Sequence, residues 1–287
     1  MPGFEGDIDR AIPSVPGNGD GNVDQKDLFW YDQFARGQHC PSDTPYNEFQ
    51  RADGNDNGSI DGGDYTVIAN TFIGIAAKVA AKGTATRPPN FCFGVPPEPG
   101  LDGLEGLASL EGSDGQDRVD HGIRQMSLSS SAGQPGGDVM VYVTFNAAGN
   151  ERSTSMSLHW DPSVMTLDGT SGFGANPDVS SGPGAIAREV IGVNATDVVN
   201  GNIGLLIDFT GGSGNQPIAS GPSQIIALRF HLLDSAAVGA STTVQFTETV
   251  VPRQTVNTSG DAIEVSGYIP GAAIVVPETY TGVRKLW

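Results

Sequence analysis

Oxygen-bearing side chains recur in residues 53–64 at the spacing of a twelve-residue calcium-binding loop. Calcium takes six to eight oxygen ligands in a flexible shell, and the chain can wrap them only if loop position 6 turns sharply, as Gly58 allows. Position 12 is an aspartate instead of the usual glutamate, so the last ligand is one methylene shorter. An Asx-rich surface turn is the alternative, but it does not need this spacing. The predicted ligands are Asp53, Asn55, Asn57, Ser59, Asp61 and Asp64.

A second copy of this pattern lies upstream and is less complete. Its first position falls on Pro16, which has no side-chain oxygen, so the first ligand must come from elsewhere; Asp7 is the candidate and Asp9 the fallback. A degenerate loop that binds calcium weakly or not at all is the alternative. The remaining predicted ligands are Asn18, Asp20, Asn22, Asp24 and Asp27. Two calcium ions are therefore expected, the second loop being the stronger site.

Composition limits the classes of function. The chain has 287 residues, enough for about two domains, and a formal net charge of -18. Such acidity argues against a nucleic-acid surface or an anionic membrane as partner and suits divalent cations and a secreted protein. No apolar run reaches the length of a membrane-spanning helix. The first residues lack a signal-peptide pattern, so an extracellular location implies that the leader is missing or that the chain starts internally.

The two cysteines, Cys40 and Cys92, favour one disulfide in a calcium-binding, extracellular chain. Two free thiols are the alternative.

The chain divides into regions of different periodicity. Helical spacing of apolar residues follows each loop and predicts helices over residues 24–36 and 64–82, so residues 1–82 form a small α module. Residues 83–124 are rich in proline and glycine and read as a linker, and residues 277–287 form a tail. Residues 125–276 switch to a period of two.

Nine short strands are predicted in this third region, with glycine, proline, asparagine and serine between them. Because no long helix intervenes, an antiparallel jelly-roll or immunoglobulin-like sandwich is expected. The fold class is therefore multidomain, a small α module with an all-β sandwich. The predicted strands span residues 126–130, 139–146, 155–160, 185–193, 203–209, 224–233, 242–247, 262–265 and 272–276. The predicted core includes Val141, Val143, Phe145, Met156, Leu158 and Trp160.

Residues 6–74 resemble a dockerin, a module of two calcium loops and two helices that inserts into another protein. The second repeat carries the resemblance, and the first resembles a variant with an insertion after the first aspartate. In that family loop positions 10 and 11 contact the partner, which implies Gln25, Lys26, Gly62 and Gly63 here. The two glycines have no side chains for contact.

Residues 126–276 resemble a cohesin, the β-sandwich that receives dockerins. The resemblance rests on residues 128–138, with their Gly-Pro turn, on residues 157–165, and on the last strand at residues 271–276. Both families assemble multiprotein complexes such as cellulosomes, and neither is catalytic.

A chain with both modules suggests a secreted structural subunit that links head to tail into an extracellular fibre through calcium-dependent contacts. The alternative is an adaptor joining different cohesin- and dockerin-bearing partners. A linker of about 40 residues is also long enough to let the α module fold back onto its own sandwich at roughly millimolar effective concentration. A carbohydrate-binding or polysaccharide-processing protein is a weaker alternative.

An enzyme is not expected, because the four histidines lack zinc-site spacing and no nucleophile motif appears. Asn194 and Asn257 fit the N-glycosylation pattern.

Overall fold

The computed structural model describes residues 6, 8, 22–35, 48–55, 59–60, 62–78, 123–173, 176–185, 190–209, 217–258 and 260–277. The described part of residues 1–78, called the helical region below, contains helices α1 (Gln25–Ala35), α2 (Glu48–Ala52) and α3 (Gly62–Phe72). The described part of residues 123–277, called the sandwich, consists of short strands joined by turns and loops, with one 3-10 helical turn at Val198–Asn200. The strands are β1 (Gln125–Leu128), β2 (Ser131–Gly133), β3 (Asp138–Ala147), β4 (Glu151–His159), β5 (Met165–Thr166), β6 (Gly172–Phe173), β7 (Val179–Ser181), β8 (Val190–Asn194), β9 (Asn202–Asp208), β10 (Gly221–Leu232), β11 (Ser241–Thr247), β12 (Gln254–Asn257), β13 (Gly267–Ile269) and β14 (Gly271–Val275).

Two sheets form the sandwich, as the sequence pattern predicts. One runs β13-β1-β3-β10-β5, with β7 also paired to β10, and the other runs β2-β14-β11-β4-β9-β8-β6, with β12 paired to β4. Their inner faces share one apolar core. All six predicted core side chains are buried in it. Trp160 packs edge-on against Phe230 with ring centroids 5.0 Å apart, and its indole N–H donates to the Met165 carbonyl oxygen at 3.0 Å, so no face of this indole is free to stack on a sugar.

The expectation of wholly antiparallel sheets is wrong at the ends of the sandwich. β1 pairs with β13 and β2 pairs with β14, both in parallel register. Both segments cross from one sheet to the other within a few residues, and they run side by side as they do so. Gly271 permits this, since a Cβ there would overlap the Ser129 carbonyl oxygen.

The second predicted helix ends ten residues earlier than its apolar spacing suggests. α3 stops at Phe72, and Gly74 follows at φ 77°. The N–H of Gly74 donates to the Thr71 carbonyl and that of Ile75 to the Asn70 carbonyl, at 3.2 and 2.9 Å, which is the Schellman pattern. Glycine adopts this left-handed conformation without strain and therefore ends the helix. Among the described residues, no helix is long and apolar enough to cross a membrane.

Some predicted strand boundaries are also wrong. Residues 262–265 make only one isolated bridge, between Ala262 and Val256, and Ala185 lies outside any strand. Several strands of two to four residues carry too few alternating side chains to show a period and were not predicted: β2, β5, β6, β7, β12 and β13.

A buried ion pair joins the start of the sandwich to the turn between β3 and β4. Arg124 Nε lies 2.5 Å from Glu151 Oε1, with side chains 4% and 0% exposed. The same carboxylate accepts hydrogen bonds from the backbone N–H groups of Ala148, Gly149 and Asn150 at 2.8 to 3.1 Å. The Glu151 carboxylate thus both pairs with the buried guanidinium and accepts the backbone hydrogen bonds that hold the turn.

Replacing this glutamate by glutamine should destabilise the sandwich by about 3 kcal/mol, because it leaves Arg124 charged and buried beside a neutral group. Urea unfolding of the full chain, followed by tryptophan fluorescence, measures the loss. The control is Glu248→Gln, which removes an exposed pair with Arg253 at 3.0 Å and should cost less than about 1 kcal/mol. Equal losses in the two variants would contradict the role assigned to Glu151.

Candidate docking face

The helical region packs against the outer surface of the eight-stranded sheet, and this surface is the candidate functional site. We call it the docking face and define it by β4, β9, residues 250–254 and the side chains of Phe173 and Asn194. Along β9, Leu205 and Ile207 belong to the sandwich core, whereas Leu206 between them belongs to the core of the helical region. β4 and β9 are consequently buried along both faces, unlike β3, which alternates.

Serines on β4 shape one side of the docking face. Ser155 Oγ donates to the Pro252 carbonyl at 2.7 Å, and Ser157 Oγ accepts from the N–H groups of Val250 and Val251 at 3.0 and 2.7 Å. Residues 250–252 therefore lie flat across the outside of the sheet. Gly204 of β9 provides the space for these residues, since a Cβ there would approach the side chains of Val250 and Val251 to 2.9 Å.

The centre of the docking face is apolar. Leu206 and Val251 are 0% and 1% exposed, although both lie outside the sandwich core. They are covered by side chains of the helical region that share one cluster with them: Ile8, Val23, Leu28, Tyr31, Phe34, Ala52, Ile68, Ala69, Phe72 and Ile73. At its edge, the rings of Tyr65 and Phe173 meet with centroids 5.9 Å apart. Without the helical region these sandwich side chains would face water.

A buried ion pair anchors α1 to this face. The Arg152 guanidinium of β4 lies 2.5 Å from Asp32 of α1, with side chains 4% and 9% exposed, and its carbon sits 5.1 Å from the centroid of the Phe29 ring. Removing one partner from such a pair leaves an uncompensated buried charge, at a cost of about 3 to 5 kcal/mol. Arg152 therefore determines which helix surface the face accepts.

Hydrogen bonds surround the apolar centre. At the start of α1, Ser153 Oγ donates to Gln25 Oε1 at 3.1 Å, Gln254 Oε1 accepts from the Gln25 N–H at 3.3 Å, and Gln254 Nε2 donates to Asp24 at 3.3 Å. Gln25, which the sequence places among residues that contact another protein, is thus buried against its own sandwich. Lys26 is half-buried, and Gly62 and Gly63 are exposed.

On the opposite side of the contact, α3 and the turn after it form hydrogen bonds with the sandwich. Tyr65 O–H donates to Asp208 of β9 at 3.3 Å, and burial, followed by the charge of Asp208, raises the pKa of Tyr65 well above its ordinary value. Tyr65 hence stays protonated and keeps donating at neutral pH. Asn194 Nδ2 donates to the Ile73 carbonyl at 2.5 Å and is buried, so a glycan on this predicted acceptor is incompatible with the packed contact. Asn257 is only partly buried, at the end of β12.

The second predicted calcium loop begins and ends with buried carboxylates. Asp53 and Asp64 are both 0% exposed, and the N–H of Asn55 donates to Asp64 at 3.0 Å, while Ser59 is exposed. Carboxylate oxygens are ligands that calcium prefers, and this loop places two of them at its first and last positions. The residues present thus fit a divalent ion.

The first predicted loop shows a similar arrangement. Asp27 is 0% exposed and accepts from the N–H groups of Ile8 and Asp24 at 2.6 and 2.7 Å. Ile8 therefore contacts position 12 of this loop, 19 residues further along the chain. Asn22 is exposed, and Asp24 accepts from the Lys26 N–H at 2.7 Å. Several sequence-predicted residues lie outside the described part of the chain: Asp7, Asp9, Asn18, Asp20, Asn57, Asp61, Cys40 and Cys92.

One further cluster has metal-ligand chemistry. Donor atoms of Asp168, Asp178 and His231 lie within 4.8 Å of one another. Asp178, however, is already paired with the Arg229 guanidinium at 2.7 Å, and His231 contacts Asp138 and Asp178 through its two ring nitrogens at 2.6 and 3.0 Å. The guanidinium opposes a second cation, so the group is best described as a clamp that ties the chain before β7 to β10.

The family model for the cohesin domain matches residues 125–269, which lie within the sandwich. The chain belongs to the cohesin family. Cohesins are protein-interaction modules without catalytic activity.

Several solved cohesins are similar to this sandwich. The sixth cohesin of scaffoldin B from Acetivibrio cellulolyticus, solved with a mutant Cel5 dockerin, is 16% identical with a TM-score of 0.42, over 53% of this chain and 98% of that one. CaCohA2 from Clostridium acetobutylicum is 18% identical with a TM-score of 0.41, over 54% and 91%. A non-cellulosomal cohesin from the archaeon Archaeoglobus fulgidus is 16% identical with a TM-score of 0.40, over 53% and 91%. The comparison with curated proteins found no match.

Sequence reasoning did not find Asp32, Arg152 or Gln254 as contact residues. The only signal was the serine at every second position of β4, which marks an outer face but not its occupant. Asp32 and Arg152 are far apart in sequence, and only the fold brings them together.

The clamp at His231 should make the cohesin sandwich less stable as pH rises above about 6.5. Burial alone would lower the pKa of His231, but hydrogen bonds to Asp138 and Asp178 outweigh it and raise the pKa. The contribution is complete below the unfolded pKa of 6.5 and is lost as pH rises through the folded value. Urea unfolding between about pH 5 and 9 should show a slope that His231→Gln flattens and Asp138→Asn reduces, by about 1 kcal/mol or less because the site is partly exposed. An identical slope in wild type and His231→Gln would contradict this role.

Proposed function

We propose that this cohesin is a secreted structural subunit that links to other copies of itself head to tail. The helical region of one chain, acting as a calcium-loaded dockerin, binds the docking face of the next. A contact of this kind that does not close generates an open filament, and one that closes generates a ring. The product would be an extracellular fibre.

The match between the helical region and the docking face of one chain carries this proposal. The two surfaces bury a shared apolar centre, a buried ion pair between Arg152 and Asp32, and hydrogen bonds at both ends. Copies of the chain have identical surfaces, so whatever fits within one chain also fits between two. An adaptor for different partners would instead need a helical region and a face of different specificity. The observed match favours self-association over that alternative.

The family assignment supports the type of partner. Among similar cohesins, those of scaffoldin B and of ScaC from Acetivibrio cellulolyticus were solved in complex with dockerins. We assign the same kind of partner to this chain because its helical region has the paired loop pattern on its own sequence.

Calcium has a structural role in the proposal. The buried carboxylates of the two loops lie at the helices: Asp27 is within α1, Asp64 is within α3, and Asp53 directly follows α2. A bound ion would neutralise them and hold α1 and α3 in the arrangement that the docking face accepts.

Calcium should therefore stabilise the helical region, and Asp64→Asn should remove much of that effect by weakening the second loop. At 100 times the dissociation constant, ligand binding contributes about 2.7 kcal/mol. Thermal unfolding of the full chain with 1 mM calcium or with chelator measures the shift, and calorimetric titration should fall from about two ions to one in the variant. The control is Glu264→Gln, an exposed carboxylate outside both loops. A calcium response in Asp64→Asn equal to that of wild type would refute the loop as a site.

Concentrated protein with calcium should form filaments or rings visible by electron microscopy, and chelator should disperse them. Arg152→Asp should abolish assembly, because it places two carboxylates together in the buried contact, costing at least about 3 kcal/mol or roughly 100-fold in affinity. The matched control is Glu264→Arg, a charge reversal at an exposed residue outside the docking face. A wild-type chain that stays strictly monomeric at high concentration with calcium would contradict the self-assembly proposal.

A further inference from the structure

We propose that the resting state is a closed monomer, in which the helical region covers the docking face of its own sandwich, and that assembly exchanges this contact for the same contact with another copy. The inference deepens the proposed function, because it concerns regulation of the same face. It rests on contacts that all lie within one chain.

The closed contact leaves little of the docking face available. Leu206 and Val251 are at most 1% exposed, and Arg152 is 4% exposed. Tyr65, Asn194 and Gln254 each have a partner across the contact. A second helical region therefore has no free surface to bind until the first one leaves.

Exchange creates no new type of contact. Open and closed forms differ in exposure of the face, whereas a linked pair remakes the same ion pair and the same apolar packing. The ratio of closed to linked chains then depends on two quantities: the effective concentration of a chain's own helical region and the concentration of other chains. For tethered partners the effective concentration is on the order of millimolar. Dilute chains should stay closed, and crowding or tethering at a surface should drive linking.

Charge reversal across the contact separates closure from linking. In the Asp32→Arg chain two guanidinium groups would face each other on closing, and in the Arg152→Asp chain two carboxylates would do so. Neither variant can close. Between the two variants, however, both kinds of contact pair opposite charges: Asp32 of one chain meets Arg152 of the other, and the two substituted residues meet each other.

The experiment compares these full chains in the presence of calcium. Each chain is at about 10 µM, roughly 100-fold below the effective concentration of its own helical region. Sedimentation velocity should show the wild type as a compact monomer and each single variant as a more extended monomer. An equimolar mixture of the two variants should assemble at a concentration where wild type does not. The double variant Asp32→Arg with Arg152→Asp should be compact again, which also controls for misfolding of either single variant.

Three results would each contradict one part of the proposal. Single variants as compact as the wild type would overturn closure through this face. A wild type that assembles as readily as the mixture would also overturn the closed resting state, while leaving head-to-tail linking intact. Extended variants whose mixture stays monomeric would support closure and refute head-to-tail linking, and therefore the proposed function.

Discussion

The structure depends on covering the outer face of β4 and β9. A sandwich normally buries one face of each sheet and leaves the other in water, but here Leu206 and Val251 add an apolar patch on the outside. Serines of β4 fold the chain at residues 250–252 across part of that face, and the helical region covers the remainder. The helical region gains from the same packing, because helices this short are marginal without a tertiary surface.

Electrostatics decide which surface may cover the face. Arg152 and Asp32 lose their hydration together, so the pair contributes specificity more than net stability. The chain carries a formal charge of -18, and copies of it repel one another at low ionic strength. Calcium binding to the acidic loops would reduce that repulsion and at the same time order the helices. Both effects would act in the same direction on assembly.

The periodicity of apolar residues in the sequence predicted the strands that pack directly on the sandwich core. The strands β3 and β9 lie within one residue of their predicted bounds, whereas β4 and β10 begin four and three residues earlier than predicted. They were detected because the apolar side chains that face the sandwich core recur at every second residue. Prediction failed where a boundary depends on one backbone conformation or on pairing with a distant strand. Gly74 ends α3 in the middle of an apolar pattern, and β12 exists because it pairs with β4, a hundred residues earlier in the chain.

By itself, the sequence determined the spacing of the predicted calcium loops, the sandwich core and the family resemblance, because each of these depends on neighbouring residues or on a short period. Tertiary structure decided where the two parts meet. Gln25 is a loop residue with no local partner, and its burial against Ser153 and Gln254 follows only from the folded chain. The fit between Asp32 and Arg152 likewise depends on two surfaces that have no common sequence signal, since complementarity is a property of the pair.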